Sequence, residues 1–136
     1  MAPVTLSAGN SGPNNVNFND PAISYNAITV ANMDDGNTAS RDDDIPRLAQ
    51  EFGNFLITVG QIKNPETRMR LYSAVKNAGG KLPVIVSPTA VVSSRSHIGE
   101  GTVVMHQAVV NVGAKVGVNC ILNTKSLLEH DVALGD

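Results

Sequence analysis

The strongest constraint on this chain is a ladder of aliphatic residues with a period of six. Val86, Val92, Ile98, Val104, Val110, Val116, Leu122, Leu128 and Leu134 follow one another without a miss. The fourth residue after each rung is restricted as well. Ala90, Ser96, Thr102, Ala108, Ala114, Cys120, Ser126 and Val132 are all small. An amphipathic helix repeats every 3.6 residues and a half-buried strand every two, so neither accounts for the pattern. A coil of three short strands does. Residues two apart share a face of a strand, which turns each rung and the small residue two before it inward. Eighteen residues then complete one triangular coil. Coils stack like on like, with small residues where the interior narrows at the corners. The spacing predicts a parallel β-helix over residues 84–136. Cys120 lies in the small column and reads as core packing.

The residue before each rung points outward. Sorted by eighteen, Ile85, Val103 and Ile121 form one apolar column, and Val91, Val109 and Leu127 another. His97, Lys115 and Ala133 form a third, mostly polar one. Two outward apolar stripes would be exposed patches on a monomer. They call for burial against other subunits or against the layer that precedes the ladder, and three prisms side by side make the natural closed arrangement.

Composition bounds the rest. Three Phe, two Tyr and no Trp suit a layered interior of aliphatic and small side chains. A formal net charge of −2 provides no basic field for nucleic acid. No apolar run approaches the roughly 18 residues of a membrane span. No basic region followed by an apolar core opens the chain, so no signal peptide is visible. Together these predict a cytoplasmic protein that engages neither nucleic acid nor membrane. One cysteine excludes an intrachain disulfide framework and a Cys-rich metal site, and no metal is expected.

Ahead of the ladder the chain changes character. Residues 1–44 hold eight of the fourteen Asn and carry a net −5, whereas the remainder carries +3. The shift marks a boundary near Asp42-Asp43-Asp44, or a solvated acidic loop within one domain. Short strands are expected at residues 4–8 and 27–31, separated by a turn-rich loop. Residues 55–59 read as a buried strand ended by Gly60. Residues 65–78 read as a helix, with Asn64 as cap, Pro65 in its first turn and Gly79-Gly80 at its end. Strand, loop and helix make a partial α/β segment over residues 45–83.

Several segments carry a specific resemblance. Ile57-Thr58-Val59-Gly60, Arg68-Met69-Arg70-Leu71-Tyr72, Val86-Ser87-Pro88-Thr89-Ala90, and the run from Ile121 to Asp131 stand in the order found in one family. Residues 45–136 resemble the sugar O-acyltransferases, which include sialic-acid O-acetyltransferases and UDP-4-amino-sugar N-acetyltransferases. The resemblance implies a left-handed β-helix, a homotrimer, acetyl-CoA as acyl donor and a sugar or nucleotide-sugar acceptor. It places the catalytic histidine on His130 and its carboxylate neighbour on Asp131, with Asn123 and Glu129 in support. It assigns no residue to CoA. A neutral imidazole can take the proton of an attacking amine or hydroxyl, and a carboxylate on the opposite ring nitrogen would hold its tautomer. His97 and His106 lack this context and read as surface or interface residues. That family carries further coils beyond the point reached by Leu134, so the resemblance implies a truncated β-helix and an incomplete CoA pocket.

Residues 1–44 resemble something else. The run from Val4 to Pro13, containing Gly9-Asn10-Ser11-Gly12, is similar to the strand and loop that carry the oxyanion-hole asparagine of subtilisin-like serine proteases. Tyr25 to Val30 and Asp34 to Thr38 are similar to the following strand and turn. Asn10 would then be a vestigial oxyanion donor. The aspartate, histidine and serine segments of a triad are absent, and a donor without nucleophile or base is not a protease. A fusion or a misassembled reading frame would produce such a chain. On that reading residues 1–44 pack loosely, whereas a sheet joining residues 4–8, 27–31 and 55–59 would restore an α/β nucleotide domain. Three functions follow: an acetyl-CoA-dependent sugar acyltransferase, a non-catalytic β-helical trimerisation module or inactive fragment, and, third, a protease fragment.

Overall fold

The computed structural model describes residues 27–30, 42–60 and 64–135. The chain divides into two compact units, Met1–Leu82 and Pro83–Asp136.

In the first unit, strand β1 (Ala27–Val30) pairs in parallel with β2 (Asn54–Ile57), Ala27 opposite Asn54 and Val30 opposite Ile57. Parallel neighbours need a crossover, and here it contains helix α1 (Ile45–Phe52), preceded by a 3₁₀ turn at Asp42–Asp44. Residues 27–30 are thus not loose but paired, as the alternative of a sheet through residues 27–31 and 55–59 requires; residues 4–8, its third member, lie outside the described residues. Helix α1 was absent from the sequence expectation, although its signals are present. Ile45, Leu48, Ala49 and Phe52 share one face, and Pro46 sits in the first turn, where it loses no hydrogen bond.

Strand β2 ends at Ile57, two residues before the expected boundary, and alternates half-buried and buried residues. Helix α2 (Glu66–Asn77) starts one residue after Pro65. The N-cap position falls on Pro65, one residue later than expected, but Asn64 still serves the helix start: its Oδ1 accepts the Glu66 amide at 2.6 Å, and its Nδ2 donates to Glu66 Oε2 at 2.8 Å. At the other end Gly79 adopts φ 79°, and the amides of Gly79 and Gly80 return to the carbonyls of Lys76 and Val75. Between them, α1, α2 and β2 bury Ile45, Leu48, Phe55, Ile57, Leu71 and Val75.

The second unit is built from nine two-residue strands, from β3 (Ile85–Val86) through β4 (Val91–Val92), β5 (His97–Ile98), β6 (Val103–Val104), β7 (Val109–Val110), β8 (Lys115–Val116), β9 (Ile121–Leu122) and β10 (Leu127–Leu128) to β11 (Ala133–Leu134). They sort into three parallel sheets, ordered β3-β6-β9, β4-β7-β10 and β5-β8-β11. Partners are eighteen residues apart, as Val86 opposite Val104 and Val104 opposite Leu122 show. The six-residue ladder is therefore a parallel β-helix with three faces.

Burial grades along it. Val104, Val110, Val116 and Leu122 are at most 3% exposed, whereas Val86 and Leu134 are each 43% exposed. A rung is covered by the coils above and below, and among the described residues β3 and β11 each pair with a coil on one side only. Ala108 and Ala114 are fully buried, and so is Thr102. The Thr102 hydroxyl donates to the Gly117 carbonyl at 3.0 Å and accepts the Cys120 amide at 3.1 Å, which is why a polar side chain is tolerated there. Cys120 is buried in the same column, as expected.

Candidate active site

The candidate site residues of the second unit sit on the corners of the β-helix. The residue three places after a rung repeatedly takes a left-handed backbone: Gly101, Gln107, Gly113, Asn119, Lys125 and Asp131 have φ between 57° and 74°. Successive corners are tied together, since the amides of Asn119, Lys125 and Asp131 donate to the carbonyls of Glu100, His106 and Val112. Each turn projects two or three side chains outward from a rigid frame, and the frame repeats from coil to coil.

His130 and Asp131 occupy the corner between β10 and β11. The His130 Nδ1 lies 3.1 Å from Asp131 Oδ2, and the two side chains are 71% and 80% exposed. An ionised carboxylate only accepts hydrogen bonds, so this contact favours the Nδ1–H tautomer, with Nε2 outside it. An ion pair this exposed adds little to stability, about 0–1 kcal/mol. Glu129 is on the same corner but engages a different partner: its Oε2 accepts from Asn111 Nδ2 at 3.3 Å, one coil below. Asn123 is exposed on the preceding corner, between β9 and β10, where its backbone carbonyl closes the turn by accepting the Ser126 amide. The structure thus brings His130 and Asp131 together, ties Glu129 to the frame, and sets Asn123 at the opposite end of β10. Asn10 lies outside the described residues.

The other two histidines differ from each other. His97 is exposed in β5, paired with Lys115. His106 is exposed as well, but its Nδ1 is 2.7 Å from Ser87 Oγ and 3.4 Å from Thr89 Oγ1. Thr89 Oγ1 also accepts the Gln107 amide at 3.2 Å. This hydroxyl-backed histidine escaped the sequence reading, although the signal was available: residues 87–89 stand eighteen before 105–107 and must stack on them.

In the first unit, Arg68 is 1% exposed and donates from one guanidinium nitrogen to the carbonyls of Ile57 and Val59, at 2.8 and 3.0 Å. It clasps the chain as it leaves β2. A concavity of about 410 Å³ between α1 and α2 is lined by Asp42, Asp43, Ile45, Pro46, Ala74, Asn77 and Ala78. None of these is a candidate site residue. No helix among the described residues is long and apolar enough to cross a membrane.

No protein-family model matches the chain. Its structural neighbours are acetyltransferases. One is a GDP-perosamine N-acetyltransferase from Caulobacter crescentus, solved with CoA and GDP-perosamine as a variant with one histidine replaced by alanine. It superposes with a TM-score of 0.65 at 27% identity, over 70% of this chain and 44% of its own. Another is the acetyltransferase domain of PglB from Neisseria gonorrhoeae with acetyl coenzyme A, at a TM-score of 0.69 and 29% identity, over 82% of this chain and 56% of its own. A second structure of the same domain superposes with a TM-score of 0.59 at 32% identity, over 73% of this chain and 42% of its own. Such coverage exceeds Pro83–Asp136, so the likeness takes in residues of the first unit too. The fold class is the expected one: mainly β, a left-handed parallel β-helix preceded by a small α/β segment. Separately, 41 residues, 30% of the chain, are 51% identical to the serine protease AprX of Bacillus subtilis, of which they span 9%. The chain spans about half or less of the length of the relatives it matches.

Proposed function

We propose that this chain belongs to an acetyl-CoA-dependent acyltransferase that acetylates an amine or hydroxyl of a sugar or nucleotide sugar, with His130 as general base. The observation that carries the reading is the His130–Asp131 pair. It stands on an exposed corner of a β-helix whose neighbours were solved with CoA, acetyl coenzyme A and GDP-perosamine. In this chemistry the acceptor nitrogen or oxygen attacks the thioester carbonyl carbon, and its proton passes to Nε2 of His130. The carbon–sulfur bond then breaks and the thiolate leaves, taking up a proton. Asp131 keeps the Nδ1 proton in place, so that Nε2 is the basic nitrogen, and stabilises the imidazolium that forms. The neighbour named for N-acetyl transfer favours an amine as acceptor.

An exposed corner cannot enclose an acyl chain, so a second surface has to complete the site. The outward column of sheet β4-β7-β10 supports a homotrimer as its source: Val91 and Leu127 are 63% and 57% exposed, with Val109 half-buried between them. The column leads into the His130 corner. A protease reading has less support, because the matched segment spans so little of AprX.

The test is acetyl transfer from acetyl-CoA to a panel of amino and hydroxyl nucleotide sugars, followed by thiol release and product mass. His130→Ala should lose about 10²–10⁴ in kcat, the usual worth of a general base. Asp131→Asn should lose less, and His97→Ala should match the parent. Full turnover by His130→Ala removes the assignment. A chain that forms trimers, binds no CoA and transfers nothing is instead a β-helical trimerisation module.

A further inference from the structure

We propose that Gly113 is a positioning residue for His130, because its missing side chain is the notch in which the Asp131 carboxylate is seated; the proposal rests on His130 being the base. Gly113 and Asp131 hold the same place on successive coils. They lie eighteen residues apart, three places beyond the paired rungs Val110 and Leu128. A β-carbon added to Gly113 would overlap Oδ1 of Asp131, and would stand 3.2 Å from its Cγ and 3.5 Å from its backbone nitrogen. One carboxylate oxygen therefore fills the volume that any other residue at 113 would occupy, while the other oxygen reaches the imidazole at 3.1 Å. The Asp131 backbone has no freedom to retreat, since its amide is bonded to the Val112 carbonyl at 3.0 Å.

Backbone conformation alone does not explain the glycine. Gly113 has φ 74°, but Gln107, Asn119, Lys125 and Asp131 occupy the same place in their corners at φ 57–62° with full side chains. What distinguishes the glycine corners is the residue stacked above. Gly101 lies beneath Asn119, and Gly113 beneath Asp131. Gln107 lies beneath Lys125. Short Asx side chains stack over glycine, and a long flexible one over glutamine. For a pair as exposed as His130 and Asp131, burial supplies little restraint, and the notch is what fixes the carboxylate's direction.

The experiment is long-range ¹⁵N NMR of the His130 ring in the full chain, which reports the tautomer. The parent should hold the proton on Nδ1. Gly113→Ala should shift the population toward the Nε2–H tautomer, to the level of Asp131→Ala. Gly113→Asn should do the same, and its backbone is one this turn accepts at Asn119, so it remains informative if the alanine variant folds poorly. Gly113→Ala combined with Asp131→Ala should match Asp131→Ala alone, because the glycine acts only through the carboxylate. Gly53→Ala is the control: Gly53 has φ 73° with no atom within 4 Å of an added β-carbon, and its substitution should leave His130 unchanged. A folded Gly113 variant with the parental tautomer overturns the proposal. So does a parent without the Nδ1 proton, or a shift of equal size in the Asp131→Ala background. None of these readouts needs turnover, so an inactive chain would sink the functional reading while leaving the seating of Asp131 to be judged on its own.

Discussion

The two units reach burial by opposite routes. The first relies on large, unrepeated side chains: Phe55, Leu71 and Arg68 are each at most 1% exposed, and each fits one place. The second has no aromatic residue and fills its interior with Val, Leu, Ala, Thr and Cys, each stacked on its counterpart eighteen residues away. In the first unit identity decides burial. In the second, position does: Val104 and Val110 are 1% exposed while Val86, on the same ladder, is 43% exposed. A repeat thus makes residue type cheap and neighbouring coils indispensable, whereas a layered core makes each side chain matter singly.

This contrast can be broken or sharpened by substitution. Every aromatic residue precedes Pro83, so tyrosine near-ultraviolet signal reports the first unit and amide protection along residues 98–122 reports the second. The largest effect should come from Val110→Asp. An unpaired carboxylate in the centre of the coil costs several kcal/mol, and protection across all three sheets should be lost together. Phe55→Ala should follow, at about 3–5 kcal/mol for a cavity of that size, seen as loss of the tyrosine signal with residues 98–122 still protected. Simultaneous loss of both signals in either variant would show that the units fold as one.

Arg68→Met keeps the length of the stem and removes the clasp. It leaves the carbonyls of Ile57 and Val59 without their donor, about 1–3 kcal/mol each at worst, and should lower the midpoint of the tyrosine transition in urea. Thr102→Val preserves shape inside the β-helix but strips partners from the Gly117 carbonyl and the Cys120 amide. A loss of about 1–3 kcal/mol is expected, with faster exchange of the Cys120 amide as its local signature. Asp131→Asn should be the smallest, within about 0.5 kcal/mol in urea unfolding, because the side chain is 80% exposed. A larger destabilisation there would mean that the His130–Asp131 pair is part of the frame rather than mounted on it.

Legibility followed the same division. The six-residue period specified strands, corners, faces and sheet order, because partner residues sit at a constant distance along the chain and a local pattern therefore encodes a tertiary contact. Cys120 in the core and the exposed apolar column through Leu127 follow from it. In the first unit, helix α2 was readable from Asn64, Pro65 and the paired glycines. Helix α1 is hard to read because it is only eight residues long, barely two turns of period, and the acidic run before it fits a solvated loop as well as a helix start. The pairing of β1 with β2 stood in the sequence only as the alternative to a loosely packed segment of residues 1–44, since nothing in either strand names the other.

By itself, then, the amino-acid order determined the β-helix, its three faces and the corner on which His130 and Asp131 stand, for the reason that a periodic chain has one low-energy way to stack. The tertiary structure decided which rungs are covered, that Glu129 turns to Asn111, that Ser87 and Thr89 hold His106, that Arg68 clasps the exit from β2, and that Asp131 rests over Gly113. Each of these depends on groups from different coils or elements meeting at contact distance, and such distances are set by register and rotamer, which no period records.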